Sequence, residues 1–240
     1  MSSSLVNWRR RLDRIDEVFV PESALSEEDH PRHLPMYLSY CVQHALDTGM
    51  YLRDELPREA LIGSTLGDYL GEVDNGGHAQ FVGNICWCEE HRSDIREGLA
   101  ILGLDEAARL FAELETFAKR TPKRFKRNHG EAHEQDPFFH ELDLRFYGPI
   151  EKSIDAALPG WIRTRPWLRT MPDEEYFRTR AWETPNHTLR EERLEERRRR
   201  NEKPLRRGLL ALRAGLRAHK AKGWRRVMWR VLKWWYLRGD

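Results

Sequence analysis

Between residues 36 and 157, hydrophobic positions recur at the spacing of one helix face, with polar residues between them. The clearest apolar stripes are formed by Leu66, Tyr69, Leu70 and Val73, by Leu110, Leu114 and Phe117, and by Leu142, Phe146, Ile150 and Ile154. No segment alternates apolar and polar residues over the length of a strand, so strands are not expected. The pattern predicts an all-α fold, a compact multi-helix domain whose antiparallel helices are joined by short connections.

Capping residues and helix breakers indicate where the predicted helices begin and end. Ser64 or Thr65 can cap the helix that carries the first stripe. Gly103 and Asp105 form a C-cap and N-cap pair between two later helices. The polar stretch 119–137 contains prolines and a glycine, which is typical of a surface loop.

Changes in composition divide the chain into four parts. Residues 1–35 contain several prolines and are interpreted as an N-terminal arm, and residues 36–178 are interpreted as the helical domain. Thr188 begins a capping-box pattern, so residues 179–202 are assigned to a charged connecting helix. Residues 203–240 form a basic, tryptophan-rich tail that is expected to be an amphipathic helix.

The tripeptide Asn75-Gly76-Gly77 interrupts the first apolar stripe. Glycine reaches positive φ without steric strain, and Asn tolerates it better than most residues do. We therefore expect a helix C-terminus that turns directly into the next helix. That next helix would carry Phe81, Ile85 and Cys88 on one face.

Two motifs in the same order carry a resemblance to a known family. The first is Glu72-Val73-Asp74-Asn75-Gly76-Gly77-His78-Ala79-Gln80-Phe81-Val82-Gly83-Asn84, and the second is Glu141-Leu142-Asp143-Leu144-Arg145-Phe146-Tyr147. They resemble Glu-Val-x-Asn-Gly-Gly-Phe-x-Gln-Tyr-Phe-x-Asn and Glu-Leu-Asp-x-x-(Phe/Tyr)-Tyr of the bacterial DNA-mimic protein family. The resemblance covers roughly residues 40–178 and departs from the family pattern at His78, where the family usually has Phe, and more mildly at Phe81 and Val82.

The resemblance implies a helical domain and, by analogy with the namesake, an acidic surface that imitates DNA to a transcription factor. The expected function is a non-enzymatic binding module that recognises a basic protein, such as a DNA-binding regulator. The candidate binding residues are those of the two motifs: Glu72, Asn75, Gly76, Gly77, His78, Gln80, Asn84, Glu141 and Asp143.

Charge is distributed unevenly along the chain. Residues 203–240 carry a net charge of +11, and residues 1–202 carry −9 with His neutral. Such asymmetry is typical of an interaction tail, and it departs from an all-acidic mimic. No apolar run is long enough to span a membrane, and the start of the chain does not resemble a secretory signal. Three cysteines and no signal favour a reducing cytoplasm.

The tail separates into two faces when it is drawn as a helix. Trp224, Trp234 and Trp235 fall on an apolar arc, and the opposite face holds the basic residues, chiefly Arg225, Arg226, Arg230 and Lys233. Tryptophan favours the membrane interface and arginine pairs with anionic headgroups, so an anionic membrane surface is one expected partner. Packing against the body or a protein partner is the second alternative. Direct nucleic-acid binding is the third and least favoured.

No sequence motif indicates a particular reaction, and we expect no catalytic residue, cofactor or metal ion. Cys86, Cys88 and His91 have zinc-binding side chains, but the two cysteines would point apart on a helix and a fourth ligand is missing. Gln80, Asn84 and Glu72 are expected to join Asn75 in a hydrogen-bonded network that holds two helices together. The alternative is an enzyme or small-ligand site in the Asn-Gly-Gly region, where His78 would supply a titratable group.

Overall fold

The computed structural model of the chain describes residues 12–26, 31–85, 87–127, 136–183 and 185–199. The chain divides into two compact units, residues 1–190 and residues 191–240. In the second unit, residues 191–199 are helical. The predicted amphipathic tail, residues 203–240, lies outside the described residues.

The first unit is predominantly α-helical, which confirms the predicted fold class. In the described part of the chain its elements follow in this order: β1 (Val18–Pro21), a 3-10 turn (Glu22–Leu25), α1 (His33–Asp47), a 3-10 turn (Arg53–Glu55), α2 (Arg58–Asn84), α3 (Glu89–Ile101), α4 (Asp105–Arg120), α5 (Pro122–Arg127), α6 (Pro137–Arg145), a π-helical turn (Phe146–Ile150), α7 (Glu151–Arg163), β2 (Leu168–Met171) and α8 (Asp173–Thr179).

The central helix α2 is kinked at the Asn-Gly-Gly turn. Gly76 and Gly77 have non-helical backbone angles, so α2 consists of two helices joined without a loop. This is the arrangement that the tripeptide predicted. Helix α2 packs against α1, α3, α6 and α7, and its residues Leu66, Tyr69, Leu70 and Phe81 are all buried. The kink therefore lies inside the helical domain.

The expectation that the chain contains no strands is wrong. β1 pairs in parallel with β2, with Val18 opposite Leu168 and Val20 opposite Thr170. Val18 and Val20 are buried in the main core, so this part of the predicted N-terminal arm is packed into the domain. A strand of four residues is too short for alternation to be recognised in the sequence.

The predicted helix cap at Ser64 or Thr65 is wrong. Ser64 and Thr65 do not cap a helix, because α2 begins at Arg58 and both side chains are buried in its interior. The hydroxyl of Ser64 donates to the Ser39 hydroxyl (3.3 Å), and that of Thr65 donates to the buried carboxylate of Asp94 (3.0 Å). Buried hydroxyls need such partners, and these side chains find them on neighbouring helices.

The last apolar stripe is divided between two helices. The backbone leaves the helical conformation at Tyr147 (ψ 124°) and Gly148 (φ 102°), between α6 and α7. Part of the expected loop 119–137 is also helical, since α5 follows α4 after a single residue, Thr121.

No helix in the described part of the chain combines the length and the apolar composition needed to cross a bilayer.

Candidate functional site at the helix kink

The kink is built around the close approach of its backbone to Asp143 on α6. Gly77 has φ +75°, and a Cβ atom added there would lie 2.2 Å from Asp143 Oδ2. The next backbone N–H, that of His78, donates to Asp143 Oδ1 at 2.8 Å. The first motif thus needs glycine at this position for two reasons, a left-handed backbone and the space for a carboxylate.

The imidazole of His78 continues this contact into the core. Its Nδ1 lies 2.6 Å from Asp143 Oδ1, and its Nε2 lies 3.0 Å from the hydroxyl oxygen of Tyr69. Because the carboxylate can only accept, Nδ1–H donates to Asp143, and Nε2 then accepts from the Tyr69 hydroxyl. His78 and Tyr69 are fully buried and Asp143 is 6% exposed, so this Tyr-His-Asp chain is closed to solvent.

Aromatic rings enclose the chain of hydrogen bonds. Phe146 meets the His78 ring edge to face (centroids 5.3 Å apart) and also contacts Tyr69 (5.7 Å). Phe81 and Phe111 cover the other sides of Tyr69. This environment raises the pKa of the Tyr69 hydroxyl, first through burial and then through the charge of Asp143. The phenol therefore remains a hydrogen-bond donor.

The second motif also anchors the helix that ends at the kink. The hydroxyl of Tyr147 donates to the carbonyl of Val73 at 2.6 Å. Burial raises the Tyr147 pKa, and the charges of Asp143, Asp74 and Glu151 raise it further. Asp143 and Tyr147 of the second motif thus bind backbone groups on either side of the glycines in the first. The two motifs form one structural unit.

Glu72, Gln80 and Asn84 form the hydrogen-bonded group that was expected across the kink. Glu72 Oε2 accepts from Gln80 Nε2 (3.0 Å) and from Asn84 Nδ2 (2.8 Å). The group lies towards the surface, because Gln80 is half-buried and Asn84 is exposed. Asn75 and Glu141 are exposed as well, and neither belongs to this group or to the buried chain.

A cluster of carboxylates lies beside the kink, on α2 and α7. Arg32, at the start of α1, forms an ion pair with Asp74, bonds Glu151 at 2.6 Å and contacts Asp155 at 2.9 and 3.0 Å. Asp155 is the main cause of the raised Arg32 pKa. Burial opposes the ionisation of Glu151, but its bonds from Arg32 and from the Gly148 N–H outweigh burial and lower its pKa.

Two more carboxylates stand one helical turn apart on α2. Asp68 accepts from Gln43 at 3.2 Å, and Glu72 accepts from the two amides described above. Burial raises the Asp68 pKa, and the nearby charge of Glu72 adds to this effect. Asp68, Glu72, Asp74, Glu151 and Asp155 are called the kink carboxylates below.

Within the described residues, no group of His, Cys, Asp and Glu side chains has a metal-binding arrangement. The Cys88 side chain is half-buried, and the Cys41 side chain is buried. Cys86, which was considered with Cys88 as a zinc ligand, lies outside the described residues. Phe81, Ile85 and Cys88 do not share one helix face as predicted, because α2 ends at Asn84 and Cys88 lies just before α3.

Three members of the site, Tyr69, Arg32 and Tyr147, are not among the candidate residues predicted from the sequence. Tyr69 had been assigned to an apolar stripe, and nothing in the spacing shows that its hydroxyl reaches residue 78 across a kink. Arg32 falls in the expected arm, more than a hundred residues from Glu151 and Asp155. Tyr147 belongs to the second motif, and its position at the motif's end is the one signal that pointed to it.

Part of the chain matches a known protein family. Residues 54–165 match the family model described as DMP19-like protein. The stretch that matches this family model is called the DMP19-like domain below. No curated protein and no solved structure matches the chain. The match includes both motifs, so the buried contact between the kink and Asp143 lies wholly within the DMP19-like domain.

The DMP19-like domain does not comprise the whole first unit. β1, α1, β2 and α8 lie outside residues 54–165, yet residues of β1 and α1 belong to the same hydrophobic core. Arg32, which bonds the carboxylates on α2 and α7, is also outside the match. The packed unit is therefore larger than the DMP19-like domain at both ends.

Proposed function

We propose that the DMP19-like domain is an acidic binding module for a basic protein. The observation that carries this proposal is the set of kink carboxylates, five acidic side chains on the packed helices α2 and α7. Residues 54–165 contain 21 acidic and 14 basic residues, a net charge of −7. Such a surface attracts cationic partners over long range.

Arg32 demonstrates the chemistry that these carboxylates offer. Three of them hold one guanidinium through short, charge-assisted bonds. Asp68 and Glu72 accept instead from uncharged amides, which leaves their charges without a bonded cation in these contacts. A partner that presents arginine or lysine side chains, such as a DNA-binding regulator, has the complementary chemistry.

The Asn-Gly-Gly region itself supports a structural role in this proposal. His78 points into the core and is fully buried, so it does not supply a titratable group to a cleft. Its bonds to Asp143 and Tyr69 fix the angle between the two halves of α2. The alternative of an enzyme or small-ligand site there gains no support from this geometry.

The test compares two charge-neutralised variants of the full chain that lose the same charge. Asp68→Asn with Glu72→Gln removes two kink carboxylates, and Asp54→Asn with Glu174→Gln removes two exposed acids elsewhere. The probe is a fluorescent arginine-rich peptide, followed by anisotropy at low and high salt. We expect the first variant to bind about tenfold more weakly than the second, since each exposed ion pair contributes up to about 1 kcal/mol. Equal affinities for the two variants would contradict the proposal.

A second function is proposed for the tail, residues 203–240, on the sequence pattern alone. We propose that it attaches the protein to an anionic surface, such as the inner face of a cytoplasmic membrane, or docks on a partner. Its tryptophan arc and basic face are the features that favour this.

Liposome sedimentation of the full chain tests the tail proposal. Trp234→Ser with Trp235→Ser should abolish sedimentation with anionic vesicles, and Trp8→Ser with Trp161→Ser should leave it unchanged. Neutral vesicles should bind neither the wild-type chain nor the two double variants. Wild-type binding that does not depend on lipid charge or salt would contradict attachment to an anionic surface, and no binding to any vesicle would remove the membrane from the proposal.

A further inference from the structure

The junction between α4 and α5 is basic within an otherwise acidic domain. Residues 119–127 contain six of the fourteen basic residues of the DMP19-like domain. Lys119, Arg120 and Lys123 are exposed. Arg109, about three helical turns before Arg120 on α4, is exposed as well. These four residues are called the cationic corner.

The cationic corner is not neutralised by its neighbours. In the described part of the chain, no ion pair involves any of its four side chains. The nearby acids are already paired with other arginines: Glu113 with Arg145 (2.7 Å), and Glu115 with Arg92 (3.5 Å) and Arg96. Its positive charge is therefore available to a ligand.

Helix electrostatics account for only part of this arrangement. Lys119 and Arg120 stand in the last turn of α4, where positive charge stabilises the helix dipole. Lys123 stands instead in the first turn of α5, where positive charge is unfavourable. The sequence thus places cations at the junction beyond what its helix ends require.

Two hollows flank the exposed ridge of α4 at this corner. One, of about 720 Å³, is lined by the rings of Trp87 and Phe125 together with Arg92 and Lys119. The other, of about 540 Å³, is lined by Phe117 and Phe138 together with Arg109 and Arg120. Each hollow thus combines aromatic side chains with two basic groups and one glutamate, Glu115 in the first and Glu113 in the second, and both glutamates are ion-paired with arginines. Ala112 and Thr116 line both, so the hollows adjoin.

We infer that the cationic corner binds single-stranded nucleic acid, a function separate from the proposed binding of a basic protein and sharing no residue with it. Phosphates would contact the four cations, and unpaired bases would enter the ring-lined hollows. An acidic peptide supplies rings only where it carries aromatic residues, whereas every nucleotide of a single strand supplies a base beside its phosphate. A membrane is disfavoured, because none of the large exposed apolar side chains in the described residues lies between 105 and 127.

The experiment uses the full chain and compares two variants with the same loss of charge. Lys119→Gln with Arg120→Gln removes half of the cationic corner, and Lys152→Gln with Arg178→Gln removes two exposed cations elsewhere. The probe is a labelled oligothymidylate of about 12 nucleotides, a typical site size for a small domain. Fluorescence anisotropy at several salt concentrations gives the affinity and its salt slope. Because both variants keep the basic tail, any binding by the tail affects them equally.

We expect the corner variant to lose about 1.4 in the slope of log K against log salt, which is about 0.7 for each lost phosphate contact, and the control to lose none. Arg109→Gln with Lys123→Gln should give the same loss. Identical slopes for corner and control variants would overturn the inference. It would also be overturned if a duplex, polyglutamate or anionic vesicles bound as tightly as the single strand in a corner-dependent way. Thermal unfolding confirms that each variant is folded.

Discussion

Gly77 illustrates how a single residue fixes the shape of the central helix. Its positive φ turns the chain, and the missing side chain lets the His78 N–H reach Asp143 at 2.8 Å. Asp143 also accepts from His78 Nδ1, so one carboxylate oxygen satisfies two buried donors. Such fully satisfied buried groups specify one geometry, because any displacement leaves a polar group unpaired.

Substituting Gly77 should therefore cost much more than substituting a glycine that is purely helical. Gly77→Ala should lower the free energy of unfolding by about 2 to 4 kcal/mol, through backbone strain and through displacement of Asp143. Gly71, in the first half of α2, has no atom within 4 Å of an added Cβ. Gly71→Ala should raise stability by about 0.5 to 1 kcal/mol. Urea unfolding measures the free energy of unfolding of both variants. Equal changes for Gly77→Ala and Gly71→Ala would contradict the role given to Gly77.

A double-mutant cycle tests the Tyr69–His78 bond. His78→Phe alone should destabilise by about 1 to 3 kcal/mol, because it leaves the buried Tyr69 hydroxyl without its acceptor. Tyr69→Phe removes that hydroxyl, so the double variant should recover part of the loss. We expect a coupling of about 1 kcal/mol or more in urea unfolding. Strict additivity would mean that the 3.0 Å contact contributes nothing.

At the scale of elements, helix positions were easier to predict than their partners. The kink in α2 followed from Asn75-Gly76-Gly77, since glycine's backbone freedom is a local property. The pairing of β1 with β2 did not follow, because it joins segments about 150 residues apart through backbone groups that carry no sequence signal. The break between α6 and α7 was missed for a related reason. Its apolar stripe continues through Phe146 and Ile150 although the backbone turns.

The third prediction concerns the ion pairs of Arg32, at the start of α1, with Asp74 on α2 and with Glu151 and Asp155 on α7. These ion pairs are called the Arg32 clamp below. Arg32→Leu would leave Asp74, Glu151 and Asp155 without their shared cation. Glu151 and Asp155 are partly buried, and Asp74 is exposed. We expect a loss of about 2 to 3 kcal/mol at pH 7 in urea unfolding. The control is Arg14→Leu, whose pair with Asp16 is 61% and 78% exposed and should contribute at most about 0.5 kcal/mol.

The pH dependence of this clamp has a definite sign. The lowered Glu151 pKa means that its stabilisation is present above the unfolded-state value and is lost as pH falls through the folded-state value. Arg32→Leu removes that stabilisation, so its deficit should shrink as pH falls from 7 towards 4. A deficit that stays constant over this range would show that packing, not charge, explains the loss.

At the scale of the whole molecule, buried acids that hold protons should make the protein sensitive to alkali. Burial raises the Cys41 pKa to about 12, and it raises the pKa of Tyr69 and Tyr176 as well. Cys41 Sγ lies 3.8 Å from the Tyr176 hydroxyl and donates to the Phe19 carbonyl on β1. Their ionisation is thus coupled to the packing of α1, β1 and α8.

The direction of this pH dependence follows from the linkage between proton binding and folding. A group with a raised pKa contributes stability below its unfolded-state pKa and loses it as pH rises towards the folded-state value. We expect the free energy of unfolding to fall above pH about 8.5, by up to about 1.4 kcal/mol per pH unit for the thiol. Cys41→Ala should remove the fall between pH about 8.5 and 10, where tyrosines in the unfolded chain remain protonated. Cys88→Ala removes a half-buried thiol, and this variant should still show the fall in stability between pH about 8.5 and 10.

The sequence alone determined the helical class, the turn within α2 and the opposite charges of body and tail, because periodicity, glycine backbone freedom and net charge are properties of neighbouring residues. Only the tertiary structure decided what the motifs do. It brought Asp143 against the Gly77 backbone, enclosed His78 beneath Phe146 and placed Arg32 among carboxylates far away in the sequence. It also left the cations of the α4–α5 junction exposed. These outcomes depend on burial and distance, which arise only when separated segments pack together.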